Sequence, residues 1–183
     1  MSTFAFAIVP TVIGAFGVAW SEAGIVRTWM HELTIDATRA GILRAFPGAA
    51  EKASPDDIAA AMDDVATLLT GARRSSGVAL DTRSIPEFDR RVYELARTIP
   101  PGETMTYGEV AKALGEEPVK ARDVGVALAR NRYAPIVPCH RVVAAGGRLG
   151  GYSAPGGAST KRRLLELEGA AIVAPPAQAC LFD

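Results

Sequence analysis

The sequence predicts an α/β protein in two parts: a small N-terminal α/β domain with antiparallel strands, then a mainly helical C-terminal domain carrying a helix-turn-helix. Three observations lead there. β-branched and aromatic residues crowd the opening segment, as strands require. From Pro86 onward apolar residues recur at helical spacing, punctuated by Pro and Gly. Between the two lies the polar stretch GARRSSG at 71–77, which reads as a linker. We place the boundary near Ile85, giving domains 1–85 and 86–183.

The elements follow in order. Strands are expected over 3–9, 14–20 and 25–31, with turn chemistry at 21–24 joining the last two. Asp36 is positioned to cap a helix that runs to about Phe46 and stops at Pro47-Gly48. Ser54-Pro55, with Asp56 and Asp57 in the first turn, opens a second helix to about Thr70. A short strand is expected near 78–81. In the second half, Phe88, Val92 and Leu95 lie on one helical face over 86–98, and Pro100–Gly102 ends that helix. Thr106 caps a helix over 107–114, which Gly115 terminates. After a turn through Pro118 a further helix runs to about Asn131, and the tight turn between the two makes the pair a helix-turn-helix candidate. Glycines 146, 147, 150, 151, 156 and 157 mark a long loop of the kind that carries function. Residues 161–168 close as a short helix ended by Gly169.

Composition bounds the possibilities. An apolar fraction of 49% with 22% charged residues is that of an ordinary globular protein. Net charge is zero, yet residues 118–163 hold nine basic residues against Asp123 alone, a local +8 that suits a polyanion. Two cysteines, Cys139 and Cys180, cannot frame a disulfide scaffold, and with His31 and His140 they show no zinc spacing. No metal and no cofactor are therefore expected, and the location expected is cytoplasmic. The apolar opening lacks Lys or Arg before Arg27 and is broken by Pro10, Gly14 and Gly17, so it reads as strand rather than signal peptide or membrane span.

The string Pro138-Cys139-His140-Arg141-Val142 carries the chemistry. A thiol beside an imidazole and a guanidinium has surroundings that lower its pKa, and an adjacent base is the usual activator of such a nucleophile. A bare Cys-His pair is equally compatible with a buried structural cysteine. The context is more specific. TYGEVAKALG (106–115), ARDVGVALARN (121–131), IVPCHRVV (136–143), GGYSAPGG (150–157) and LLELEG (164–169) together closely resemble the O6-alkylguanine-DNA alkyltransferase family, over about residues 86–169.

That resemblance implies direct, stoichiometric repair of double-stranded DNA containing O6-alkylguanine, by a monomer. Cys139 would be the alkyl acceptor and His140 the base, with Glu168 orienting the imidazole. Asn131 would brace the loop before the acceptor, and Tyr107 would protonate the departing guanine. Arg122 would fill the gap left by the flipped nucleotide, and Arg141 would join the substrate- and DNA-binding residues. Tyr152 and Ser153 would line the base pocket, and Val142 would offer its carbonyl to the exocyclic amine. Extrusion is a physical necessity, because a stacked base hides its O6 substituent.

Three positions depart from the family pattern. Asp123 and Val126 stand where small residues are usual, on the helix that would approach the groove, and Arg132 replaces a common proline. Some relatives bind zinc in the N-terminal part, for which this chain lacks the cysteines. The rival readings are a non-catalytic lesion binder, a helix-turn-helix regulator and a Cys-His hydrolase. Cys139 itself opposes the first. The apolar VGVALA (124–129) lacks the polar side chains that a regulator needs for reading base edges. The third leaves Tyr107 and Arg122 without a purpose.

Overall fold

A computed structural model describes residues 3–11, 14–32, 34–69, 77–154 and 156–171. Strands β1 (Ala5–Thr11), β2 (Gly14–Ser21) and β3 (Gly24–Glu32) form an antiparallel meander. The two-residue strand β4 (Ala50–Glu51) adds parallel to β1, for a sheet order of β3-β2-β1-β4. Register explains both layers around the sheet. Ala5 pairs with Trp20 and Phe6 with Ala19, so alternate pairs point to opposite faces. Phe6, Ala19 and Trp29 pack on one face against Ile42 of helix α1 (Ile35–Ala45). Ala5, Phe16, Val18 and Trp20 face the other way, toward α2 (Asp56–Leu69) and the second half of the chain.

The second half stacks α3 (Glu87–Thr98), α4 (Tyr107–Ala113) and α5 (Ala121–Ala129) on one another. Val92, Tyr93 and Ala96 of α3 meet Val110 and Ala111 of α4 and Val124, Ala127 and Leu128 of α5. α4 starts with a full capping box: the Thr106 side chain accepts from Glu109 N–H while the Glu109 carboxylate accepts from Thr106 N–H. Loss of such a cap typically costs about 1 kcal/mol. Two parallel two-residue strands, β5 (Met105–Thr106) and β6 (Val142–Val143), tie the start of α4 to the stretch after Cys139. Helix α6 (Gly157–Leu167) closes the chain's described part.

Several boundaries differ from expectation. The first helix is capped by the Thr34 hydroxyl, and Asp36 sits inside its first turn. The turn expected through Pro118 is a 3-10 turn (Pro118–Lys120), and the helix after it, α5, ends at Ala129, short of the expected Asn131. α6 begins at Gly157, ahead of the expected residue 161. Residues 78–81 make one bridge, Leu80 to Ile25, in place of a strand. The segment 71–76 and the tail with Cys180 lie outside the described residues. Among the described residues no helix is long and apolar enough to cross a membrane.

The halves share one buried cluster and are joined by polar contacts. Thr28 of β3 donates its N–H to the Arg132 carbonyl (2.8 Å) and its hydroxyl to that of Ala134 (2.6 Å). The buried Tyr133 hydroxyl donates to the Asp81 carbonyl at 2.8 Å. These bonds hold the loop after α5 against the sheet, and that loop leads directly into Cys139.

Candidate active site

Cys139, His140 and Arg141 form a single 3-10 turn between Pro138 and β6, and all three are buried. A turn this short sends adjacent side chains in different directions. His140 points at Glu168, the last residue of the α6 turn, with Nε2 to Oε1 at 2.9 Å. Burial pushes the imidazole pKa down against the pull of Glu168 and holds it neutral. The carboxylate partner sets Nε2 as the protonated nitrogen, so Nδ1 carries the lone pair. That Nδ1 is buried and has no partner among the described residues.

Arg141 corrects the sequence reading. It was expected among the DNA-contacting residues, but its guanidinium is 2% exposed and spent internally. Nε and Nη2 donate to the Glu168 carboxylate at 2.8 to 3.2 Å, and Nη1 donates to the Ile99 carbonyl at 2.6 Å. Burial would raise the Glu168 pKa. Hydrogen bonds from His140 and Arg141 overcome this and bring it down to about 2. With His140 neutral, Arg141 is the charge that keeps Glu168 ionised.

The thiol corrects it too. Neighbouring cations were expected to depress the Cys139 pKa, yet burial pushes it up, against the opposing influence of Asn131, Lys161 and Tyr152. Arg141 cannot help, since its charge is matched by Glu168. The resting group is therefore a thiol.

The remaining predicted residues converge on the same place. Asn131 Nδ2 donates to the Val137 carbonyl (2.9 Å), and Asn131 Oδ1 accepts from Tyr133 N–H (2.9 Å), so one side chain braces both ends of the loop. A cleft of about 490 Å³ opens over the sulfur, bounded by Tyr107, Arg122, Gly125, Cys139, Tyr152 and Ser153. Tyr107 packs against Gly150, whose φ of +70° suits glycine. A Cβ at Gly150 would lie 3.2 Å from the Tyr107 ring and 3.4 Å from its hydroxyl. The Tyr152 hydroxyl is buried beside the thiol with no conventional hydrogen-bond partner among the described residues, and its pKa is driven well up.

Lys161 is the residue that sequence reasoning missed, having been counted only as one of the basic stretch. It is fully buried, and Nζ donates to the carbonyls of Val142 (2.6 Å) and Gly151 (3.1 Å) and to the Tyr107 hydroxyl (3.4 Å). Burial lowers its pKa to about 8. A signal existed: Lys161, Leu164, Leu165 and Glu168 fall on one helical face, so the lysine shares the buried stripe. The local +8 shrinks accordingly. Lys161 and Arg141 face inward, Lys120 pairs with Asp123 at 2.8 Å, and Arg130 pairs with Asp89 at 3.5 Å.

A helix pair of helix-turn-helix form beside a cleft lined by a buried cysteine, with a buried His-Glu pair next to it in the chain, defines a class: proteins whose cleft along a helix pair ends on a cysteine thiol. Residues 87–170 match the family described as 6-O-methylguanine DNA methyltransferase, DNA binding domain. A methylated-DNA–protein-cysteine methyltransferase of Mycolicibacterium paratuberculosis is 35% identical over 96% of both chains. One from Mycobacterium tuberculosis is 43% identical over 70% of this chain and 74% of its own. The crystal structure of Mycobacterium tuberculosis OGT in complex with DNA superposes with a TM-score of 0.72 at 33% identity, covering 90% of this chain and 92% of that one. The O6-methylguanine-DNA methyltransferase of the hyperthermophilic archaeon Pyrococcus kodakaraensis gives 0.66 at 26% identity, covering 90% and 99%. The chain belongs to the methylated-DNA–protein-cysteine methyltransferase family.

Proposed function

We propose that this protein repairs O6-alkylguanine in double-stranded DNA by moving the alkyl group onto Cys139, once per molecule. The observation that carries the reading is the buried Cys139 in a cleft that Tyr107 and Arg122 also line, followed in the chain by His140 hydrogen-bonded to Glu168 at 2.9 Å. The alkylated base leaves the stack and enters that cleft, while Arg122 on the exposed face of α5 takes its place. Ser153 at the rim meets O6. The Val142 carbonyl, which already accepts from Lys161, keeps a second lone pair for the exocyclic amine.

The Sγ–alkyl bond forms as the alkyl–O6 bond breaks, and the electron pair passes into the guanine ring. The thiol proton goes to His140 Nδ1, through water, and Glu168 stabilises the resulting imidazolium. The departing guanine takes a proton from the Tyr107 hydroxyl, whose oxygen lies 3.4 Å from the Lys161 ammonium. A proton supplied to the leaving group lowers the barrier in the way general acids do. No cofactor enters the step. The product is a thioether, and the described site holds no second nucleophile to remove it. We place the reaction in the cytoplasm, where a free thiol persists, with one chain acting on one lesion.

Intact mass spectrometry after incubation with a duplex holding one O6-methylguanine tests this. The expected result is a single added CH2, mapped to Cys139, and none in Cys139→Ala, which still binds the duplex. Methyl transfer persisting in that variant refutes the assignment.

A further inference from the structure

A second cleft, of about 730 Å³, adjoins the first and shares Ala129, Cys139 and Ser153 with it. It runs between β3 and the loop after α5. Arg27, Arg130 and Arg132 line it, and no acidic residue does. Arg130 is matched by Asp89 at 3.5 Å. Arg27 and Arg132 are both exposed, and among the described residues neither has a carboxylate partner. Arg132 has only a 3.4 Å contact from Nη1 to the Ser84 hydroxyl, and Arg27 lies over the Trp29 ring at 5.0 Å.

Two unmatched cations on facing segments repel, so those segments are held together by other means. The restraint is Thr28, next to Arg27, which donates its N–H and hydroxyl to the carbonyls of Arg132 and Ala134. Hydrogen bonds from β3 thus hold the segment that carries Arg27 against the loop that carries Arg132. Burial lowers the Arg27 pKa, and the Arg132 charge lowers it further. An anion seated between the two would relieve that repulsion and meet two planar forks of donors.

We infer that Arg27 and Arg132 form a clamp for a backbone phosphate of the bound DNA beside the flipped nucleotide, extending the DNA footprint from the helix pair onto the N-terminal sheet. The inference rests on the alkyl-transfer reading for its ligand: a strand whose base fills the first cleft passes the second, because the two adjoin and share Ala129, Cys139 and Ser153 in their walls. The contacts of the two arginines run to Trp29 and Ser84 and not to Cys139, His140 or Glu168, so the clamp contributes to docking and leaves the chemistry alone.

The test is duplex binding across a salt series, with single-turnover methyl transfer on the same O6-methylguanine duplex. Arg27→Gln and Arg132→Gln each weaken binding several-fold at low salt, and the double variant loses about 0.9 from the slope of log affinity against log salt, the share of one phosphate. Transfer at saturating duplex keeps the wild-type rate. Arg27→Lys with Arg132→Lys restores the slope. In a scan of single neutral methylphosphonates, the substitution beside the lesion that weakens wild-type binding has no effect on the double Gln variant. An unchanged slope, or an identical scan for wild type and variant, overturns the clamp. So does a saturating rate that falls in step with affinity, which would mean the arginines act by shaping the Asn131 loop. Failure of the wild type to gain a methyl refutes instead the alkyl-transfer reading, a separate result in the same experiment.

Discussion

Replacing Glu168 by Gln removes one oxygen's charge and little volume, so its effect isolates the buried ion pair. Glu168 is 2% exposed and accepts from His140 Nε2, from Nε and Nη2 of Arg141, and weakly from Gly102 N–H at 3.4 Å. The variant leaves the Arg141 guanidinium buried without a counter-charge, and breaking such a pair from one side costs about 3–5 kcal/mol. The pH dependence gives a second route to the same order. A carboxyl at about 2 in the folded protein against 4.5 unfolded contributes about 3 kcal/mol, at 1.36 kcal/mol per unit. The folded pKa is the depressed one, so this stability is complete above pH 4.5 and is lost as pH falls toward 2. Glu168→Gln is therefore expected to melt roughly 6–20 °C lower at pH 7, taking 2–4 °C per kcal/mol for a chain of this size. Its acid unfolding loses the steep segment between pH 4.5 and 2. The double variant Arg141→Met with Glu168→Gln recovers much of the loss, since no unmatched charge remains. Chemical denaturation at several pH values, read with calorimetry, measures all three. A Glu168→Gln loss below about 1 kcal/mol, or no recovery in the double variant, would refute the view that Arg141 is held as a structural cation.

Three further outcomes are expected. Arg122→Ala slows repair of the duplex far more than reaction with free O6-benzylguanine, which needs no flipping; equal losses in single-turnover assays would exclude a stack-filling role. Lys161→Met leaves the Val142 and Gly151 carbonyls without their buried donor and lets Tyr107 shift, so methyl transfer slows by about 10²-fold with undamaged-DNA affinity intact. A rate within twofold of wild type would show that Lys161 only fills space. Asp123→Ala removes an exposed carboxylate and frees Lys120, so duplex titrations at two ionic strengths show several-fold tighter binding at low salt and a steeper salt dependence. Unchanged binding would turn that helix face away from DNA.

The sequence by itself determined what depends on local periodicity and on residue order. The meander of β1 to β3, the capped helix after Thr106, and the adjacency of the Cys139 thiol and the His140 imidazole are all legible, because turn chemistry, capping and adjacency are short-range properties. Glu168 and Asn131 were reachable only because they sit in ordered motifs; nothing local says that a glutamate at a helix end faces a histidine 28 residues earlier. The tertiary structure decided where each charge went. Arg122, Arg132, Arg141 and Lys161 look alike in a basic stretch, yet two face outward, one is locked to Glu168 and one bridges three oxygens under Tyr107. It also decided the resting state of Cys139, since burial outweighs the neighbours that the string alone suggests. Burial and long-range pairing come from chain crossings such as Thr28 to Ala134, and a desolvated charge takes its pKa from whatever those crossings set beside it.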